Sequence, residues 1–243
     1  MDKHYSYFMQ GAVEKLGGLV NKFLRLFRVK IITLNTLRYY TTDEFLYNYD
    51  SYEEYKQTQV FLNKQKIDRV WADKETLSIV AEVVKGKISG NDDVFGLCHG
   101  SRNGYEQQSL AEMIPAEVIG TDISDTADQY PNSVVWDFHD ENPEWVGRCD
   151  FVYTNSLDQS WKPKDALNTW LDQLKIGGVL IIEQTEGHGP TAAGRMDPFG
   201  AKPKYMPYLL TSWLGSRVTL EIIESTKSNY GNHVWLFALT KLS

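Results

Sequence analysis

The sequence predicts an α/β fold: a doubly wound, mostly parallel sheet of seven strands with an antiparallel terminal hairpin, preceded by N-terminal helices. From residue 94 onward, short apolar runs alternate with helical stretches, which is typical of a parallel sheet covered on both faces. Only the short segment SNYGN separates the last two runs, so these strands are expected to pair antiparallel. The predicted strands are 94–98, 116–123, 132–138, 149–156, 176–184, 217–226 and 233–241.

Helical periodicity precedes the sheet and separates its strands. Residues 51–86 contain two helical patterns, and Asp73 is placed to cap the second while Gly86 is placed to end it. The helices between the strands are predicted over 104–114, over 163–175 and near 205–215.

The change of pattern along the chain predicts two parts, an N-terminal helical extension or cap over 1–72 and a Rossmann-like domain over 73–243. Within the first part, 11–32 is an amphipathic helical pattern with five basic residues against Glu14 alone, a charge of +4. Its simplest interpretation is a helix packed on the main domain with a solvated basic face. The alternative is an interfacial helix on anionic lipid, or a docking surface for an anionic acceptor.

Composition excludes several classes of protein. The 243 residues carry 25 basic and 32 acidic side chains, a net charge of −7. An acidic balance disfavours a general nucleic-acid binder, because such proteins gain affinity by neutralising phosphates. No apolar run reaches the roughly 18 residues of a spanning helix, and the N-terminus has no signal-peptide pattern. A cytoplasmic protein is therefore expected, with peripheral membrane contact through 11–32 as a further hypothesis.

The two cysteines do not make a disulfide framework. Cys98 ends the first predicted strand and Cys149 begins the fourth, so a parallel sheet holds them at opposite ends. That separation exceeds the reach of a disulfide and predicts two free thiols. No Cys/His cluster has the spacing of a zinc site, and metal independence is expected.

Ligands of open parallel sheets bind at the carboxyl ends of the strands. The first predicted strand is followed by CHGSRNG, in which Gly100 and Gly104 allow close approach of the backbone, and Ser101 and Asn103 add small polar groups. A helix that begins at Gly104 directs its free N–H groups into the same space. The alternative interpretation is an ordinary turn between strand and helix.

Acidic residues end the next two strands. Asp122 can accept hydrogen bonds from both hydroxyls of a ribose, or it can cap the following turn. Asp137 can accept from an adenine amino group beside the apolar Phe138, or it can be an ordinary loop acid. Together with the glycine loop, the two acids describe a crevice shaped for a nucleoside.

This order of motifs over residues 75–241 resembles the class I S-adenosylmethionine-dependent methyltransferases. The resemblance implies S-adenosylmethionine as cofactor and 73–243 as the methyltransferase domain. It implies that the glycine loop cradles the methionine part, and that the fourth-strand segment CDFVYTNSLDQSW lies beside the transferred methyl. The implied cofactor-binding residues are Gly100, Ser101, Asn103, Gly104, Asp122, Ile123, Asp137, Phe138, Asn155 and Ser156.

The sequence departs from the family pattern in the glycine loop. Gly96 stands at the position of the usual acid, Cys98 at the first glycine and Arg102 at the last alternating glycine. Two alternatives stay open: a catalytically degenerate methyltransferase fold that serves as a binding or scaffold protein, and an NAD(P)-binding Rossmann enzyme. CHGSRNG does not supply the G-x-G-x-x-G fingerprint of the latter.

The expected acceptor is a small molecule, a sugar or a lipid-linked compound. The fourth-strand loop lacks the Asn/Asp-Pro-Pro-aromatic signature of enzymes that methylate base amines of nucleic acids. The acceptor site is expected between the N-terminal helices and the loops after the fourth and fifth strands, where 184–204 is long and glycine-rich. His188 and Asp158 are the candidates for a general base or orienting group. Their alternatives are a solvent-exposed loop histidine and a carboxylate that caps a helix or orients the cofactor.

Overall fold

A computed structural model describes residues 42–88, 93–227 and 231–243, of which Asp43–Ser243 form one compact unit. The predicted segment 11–32 lies outside the described residues. The helices are α1 (Tyr52–Gln65), α2 (Lys74–Lys87), α3 (Tyr105–Met113), α4 (Pro163–Gln173) and α5 (Met206–Leu214). The strands are β1 (Glu44–Leu46), β2 (Val94–His99), β3 (Ala116–Asp122), β4 (Ser133–Val135), β5 (Cys149–Thr154), β6 (Leu174–Thr185), β7 (Phe199–Ala201), β8 (Val218–Lys227) and β9 (His233–Lys241).

The main sheet has seven strands in the order β4-β3-β2-β5-β6-β9-β8. All neighbours pair parallel except β9, which pairs antiparallel with β6 and with β8. The predicted fold class is therefore confirmed, including the antiparallel terminal pair. Strand order reverses between β2 and β5, and this switch point is where an open α/β sheet binds ligands.

Apolar residues cover both faces of the sheet, as the continuous apolar strands predict. On one face, Leu77 of α2 and Leu110 of α3 are fully buried in one core together with residues of β2, β5 and β6. On the other face, Trp170 of α4 and Leu210 of α5 are fully buried. The strands are therefore packed between two separate hydrophobic cores, and this packing keeps the carboxyl ends of the strands in fixed positions.

Local sequence signals set the helix ends. The Asp73 side chain accepts a hydrogen bond from the Thr76 backbone N–H at 2.8 Å, so the predicted cap of α2 is confirmed. The helix continues one residue past the predicted end at Gly86 and finishes at Lys87. Cys98 and Cys149 are buried free thiols, as predicted. Among the described residues, no helix is long and apolar enough to cross a bilayer.

A second, two-stranded sheet was not predicted. β1 pairs antiparallel with β7, from Glu44 opposite Ala201 to Leu46 opposite Phe199. The Tyr47 N–H extends this pairing by donating to the carbonyl of Pro198 at 2.7 Å. The long segment after β6 is thereby tied to the chain just before α1, across the carboxyl edge of the main sheet.

Candidate functional site

Two adjoining cavities lie at the carboxyl edge of the main sheet. The α1 cavity is narrow, with a volume of about 30 Å³, and lies between helix α1 and the ends of β2 and β3. The β6 cavity is about 310 Å³ and lies beside the ends of β5 and β6. Gly100 and Arg102 line both, so the two spaces meet at the glycine loop.

The glycine loop is held tightly between β3 and β5. The N–H groups of Gly100 and Ser101 both donate to the Thr121 carbonyl, at 2.9 and 3.0 Å. Gly100 has φ +74°, and a Cβ there would lie 2.5 Å from the Cβ of Ser156. Only glycine fits this position, because both the left-handed backbone and the close approach exclude a side chain. The loop therefore presents bare backbone to the cavities, as predicted.

Asp122 ends β3 inside the α1 cavity. One of its oxygens accepts from the Arg102 N–H at 3.1 Å and the other from the Ser124 N–H at 2.9 Å. Burial raises the pKa of Asp122, while the Ser124 N–H and the Arg102 charge oppose that rise. The Asn63 side chain also hydrogen-bonds to Asp122. A carboxylate has about four acceptor positions, so Asp122 keeps at least one for a ribose hydroxyl.

Asp137, after β4, is more heavily engaged than the sequence predicted. Its Oδ1 accepts from the backbone N–H of His139 at 3.0 Å and lies 2.6 Å from Nδ1 of the same residue. Its Oδ2 accepts from the Tyr52 hydroxyl at 2.8 Å. Burial acts to raise the pKa of Asp137, but the hydrogen bonds from His139 and Tyr52 outweigh it and lower the pKa. One acceptor position on Oδ2 is left for a ligand N–H.

Helix α1 forms the outer wall of the α1 cavity. Tyr55 is almost fully buried and stacks on Trp161 with ring centroids 5.5 Å apart. Asn63 accepts from the Thr126 hydroxyl at 2.9 Å, which fixes the other end of the helix over the loop after β3. The sequence predicted this helix as one wall of the acceptor site, and the structure places it as a wall of the α1 cavity.

Asp158 and His188 meet in the β6 cavity, with Nε2 4.0 Å from Asp158 Oδ2. The Thr185 N–H donates to His188 Nδ1 at 3.4 Å, so the neutral ring carries its hydrogen on Nε2, facing the carboxylate. Asp158 Oδ1 is buried without a hydrogen-bond partner among the described residues. Burial raises the pKa of Asp158 to about 6, although the nearby His188 acts in the opposite direction. The structure thus brings together the two predicted candidates for proton transfer.

Two further acids line the β6 cavity and were missed from the sequence. Glu106 of α3 and Glu183 of β6 are both buried, and burial raises the pKa of each to about 7. Glu183 accepts from the Tyr153 hydroxyl at 2.6 Å. A glutamate inside the apolar run GGVLIIEQ was a usable signal for Glu183. No such signal marked Glu106, because an acid in the first turn of a helix is usually exposed to solvent and interacts with the helix dipole.

The predicted cofactor-binding residues divide between the two cavities. The α1 cavity is lined by Gly100, Asp122, Ile123, Asp137 and Phe138, and the β6 cavity by Gly100, Asn103, Asn155 and Ser156. Ser101 and Gly104 line neither, because Ser101 is buried and the Gly104 N–H turns back to the Ser101 carbonyl at 2.9 Å. In the described ranges, no group of three or more His, Cys, Asp or Glu side chains is placed to hold a metal ion.

Solved structures of known proteins share this fold. The 1,6-didemethyltoxoflavin-N1-methyltransferase of Burkholderia thailandensis, solved with 1,6-didemethyltoxoflavin and S-adenosylhomocysteine, matches at TM-score 0.60 and 14% identity over 81% of this chain and 92% of that one. The CurJ carbon methyltransferase matches at TM-score 0.54 and 14% identity over 69% of this chain. This chain spans about half of that larger structure, 54% of its length.

The [4+2]-cyclase SpnF also matches, at TM-score 0.55 and 12% identity over 76% of this chain and 94% of that one. No protein-family model matches the sequence, and no curated protein matches it. At such low identities the likeness is one of fold, and it confirms the class I methyltransferase fold expected from the motifs. Since one structure with this fold is a cyclase, the reaction has to be argued from the site.

Proposed function

We propose that this protein is an S-adenosylmethionine-dependent methyltransferase that acts on a small-molecule, sugar or lipid-linked acceptor. The observation that carries the proposal is the place of Asp122. It ends β3 in the α1 cavity beside the bare backbone of Gly100 and keeps acceptor capacity for a ligand hydroxyl. A ribose presents two adjacent hydroxyl donors, and a carboxylate at this strand end is suited to bind both.

The same cavity would supply the remaining contacts of the nucleoside, and it would have to widen to admit the base. Asp137 would accept from the adenine amino group with the acceptor position left on Oδ2, and Phe138 and Ile123 would pack on the base. The methionine part would extend past Gly100 into the β6 cavity, toward Asn155 and the loop after β5. The bound structure of the Burkholderia thailandensis enzyme, which holds S-adenosylhomocysteine in the same fold, supports this assignment.

The cofactor supplies a methyl group on a positively charged sulfur, which an acceptor nucleophile takes by direct displacement. In our proposal Asp158 receives the acceptor's proton, because its free Oδ1 and raised pKa suit a base that works near neutral pH. His188 acts as an orienting group, since its Nδ1 already accepts from Thr185 and its Nε2–H faces Asp158. This assigns the base to Asp158 and orientation to His188.

The acceptor would enter the β6 cavity between the segment after α1 and the turn after β6. Lys66, Arg69 and Trp71 line one side, and Thr185 and His188 line the other. Within the described residues, this arrangement supports the proposal that the part of the predicted 1–72 cap over 43–72 covers the methyltransferase domain over 73–243. The mixed charge of the walls favours a polar acceptor over an apolar one.

Calorimetric titration tests the proposed cofactor. The unmodified protein should bind S-adenosylhomocysteine and should not bind NADH. Asp122→Ala should weaken the binding of S-adenosylhomocysteine by about 1–3 kcal/mol, because the ligand hydroxyls lose their hydrogen-bond acceptor. Asp128→Ala, at an exposed position in the turn that follows, is the matched control and should bind normally. Binding of NADH without binding of S-adenosylhomocysteine would overturn the proposal.

A scaffold protein that had lost cofactor binding would bind neither S-adenosylhomocysteine nor NADH. Turnover with labelled S-adenosylmethionine against a metabolite panel then separates an active enzyme from a cofactor-binding scaffold.

A further inference from the structure

We propose that Arg102 and Glu106 together bind the amino-acid end of S-adenosylmethionine, Arg102 its carboxylate and Glu106 its ammonium group, an inference that rests on the proposed function. Both residues line the β6 cavity, and Arg102 also lines the α1 cavity, where the nucleoside would lie. Neither is supplied by the usual glycine-rich pattern of this fold, in which an acid stands at position 96 and a glycine at position 102.

The structure shows why strand β2 carries no acid of its own. A Cβ on Gly96 would lie 2.2–2.6 Å from three ring atoms of Phe151, which is fully buried in the neighbouring strand β5. No side chain fits there without displacing the ring. The position at which the family pattern has its acid is therefore closed to a carboxylate in this chain.

Glu106 supplies a carboxylate from the first turn of α3. It is only 7% exposed, yet its Oε2 has no hydrogen-bond partner among the described residues. Its Oε1 has a single long contact, 3.5 Å from the amide nitrogen of Asn155. A buried carboxylate with one weak partner is costly, so an ammonium ligand would satisfy a group that the protein alone leaves unpaired.

Arg102 is the matching cation. It is 8% exposed, and its Nε lacks a hydrogen-bond partner in the part of the chain that the structure describes. One terminal nitrogen makes a long contact of 3.4 Å to the Arg69 carbonyl. Because a guanidinium is always charged and binds carboxylates through two parallel N–H groups, its unpaired edge suits the carboxylate of an amino acid.

The two charges are arranged for a zwitterion. Arg102 and Glu106 lie close enough to influence each other, since the arginine lowers the pKa of the glutamate, but they form no salt bridge within the described ranges. An α-amino acid group that entered the cavity would bring an opposite charge to each of these two side chains. The Arg102 N–H also holds Asp122, so the zwitterion site is continuous with the proposed ribose site.

Two ligands separate this site from the rest of the cofactor site. S-adenosylhomocysteine carries the amino-acid end, whereas 5′-methylthioadenosine keeps the nucleoside and the sulfur without it. Both are titrated calorimetrically into the full chain and into Glu106→Gln, Arg102→Gly and Glu112→Gln. Glutamine is isosteric with glutamate, and glycine suits the left-handed backbone of Arg102 at φ +43°, so both test variants are expected to fold. Glu112, an exposed acid on α3, is the matched control.

Glu106→Gln and Arg102→Gly should each weaken S-adenosylhomocysteine about 10- to 100-fold, the usual worth of a hydrogen bond to a charged group. Binding of 5′-methylthioadenosine should change less than about 3-fold, and Glu112→Gln should leave both affinities unchanged. Unchanged affinity for S-adenosylhomocysteine in the two variants, or an equal loss for both ligands, would overturn the inference while leaving the proposed function standing. If the unmodified protein binds neither ligand, the proposed function fails and this inference fails with it.

Discussion

Glu183 makes the stability of this protein depend on pH in a way that the structure quantifies. Its side chain is 4% exposed and accepts from the Tyr153 hydroxyl at 2.6 Å. Burial raises the pKa of Glu183 from 4.5 to about 7, and the nearby charges of Asp73 and Glu106 add to that rise. A raised acid pKa means that the folded state holds the proton more tightly than the unfolded state.

The sign and size of the effect follow from this difference. The stability due to protonated Glu183 is fully present below pH 4.5 and is lost as pH rises through about 7. Since one pKa unit is worth about 1.4 kcal/mol, the difference corresponds to a maximum of about 3 kcal/mol. Glu183→Gln mimics the protonated acid and keeps the carbonyl that accepts from Tyr153. The variant should therefore match the unmodified protein in acid and be more stable by about 1–3 kcal/mol at alkaline pH.

Urea unfolding between about pH 5.5 and about pH 8.5 measures this difference in the free energy of unfolding. Glu117→Gln removes the same charge from an exposed position on β3 and serves as the control. A stability difference between Glu183→Gln and the unmodified protein that stays constant over this range would refute the reasoning. It would mean that Glu183 is not the buried titrating acid that the geometry indicates.

Three other predictions concern the proposed base, Gly96 and the segment 11–32. Asp158→Asn should bind S-adenosylhomocysteine normally but lose about 10²–10⁴ in turnover. Turnover of the unmodified enzyme should rise as the pH passes about 6, the pKa of Asp158. Near-normal turnover of Asp158→Asn, or of His188→Ala, would remove that residue from the mechanism. Gly96→Ala should lower the free energy of unfolding by about 1–3 kcal/mol in urea titrations, and no loss would contradict the packing described for this strand. Peptide 11–32 should co-sediment with anionic vesicles and be released by salt, whereas no binding at low salt leaves only a packing role.

The main sheet was predictable because its signals are local. Each strand is a short run of apolar residues, and each intervening helix has its own periodicity. The succession of elements and the antiparallel direction of the last pair therefore follow from pattern and connection length. The position of Asp122 followed as well, since the last residue of a parallel strand must lie at the ligand-binding edge. The positions of Asp158 and His188 followed for the same reason, because each comes after a strand that ends at that edge.

Burial and pairing between distant segments were decided only by the tertiary structure. Tyr52 donates to Asp137 across 85 residues, and β1 pairs with β7 through three residues that show no distinctive pattern. The chain itself determined which side chains stand at the ends of the strands. Whether Glu106 is solvated or buried depends on helices and loops from elsewhere in the sequence. The reason is that desolvation depends on all the groups packed around a side chain, and its neighbours along the chain are only a few of these.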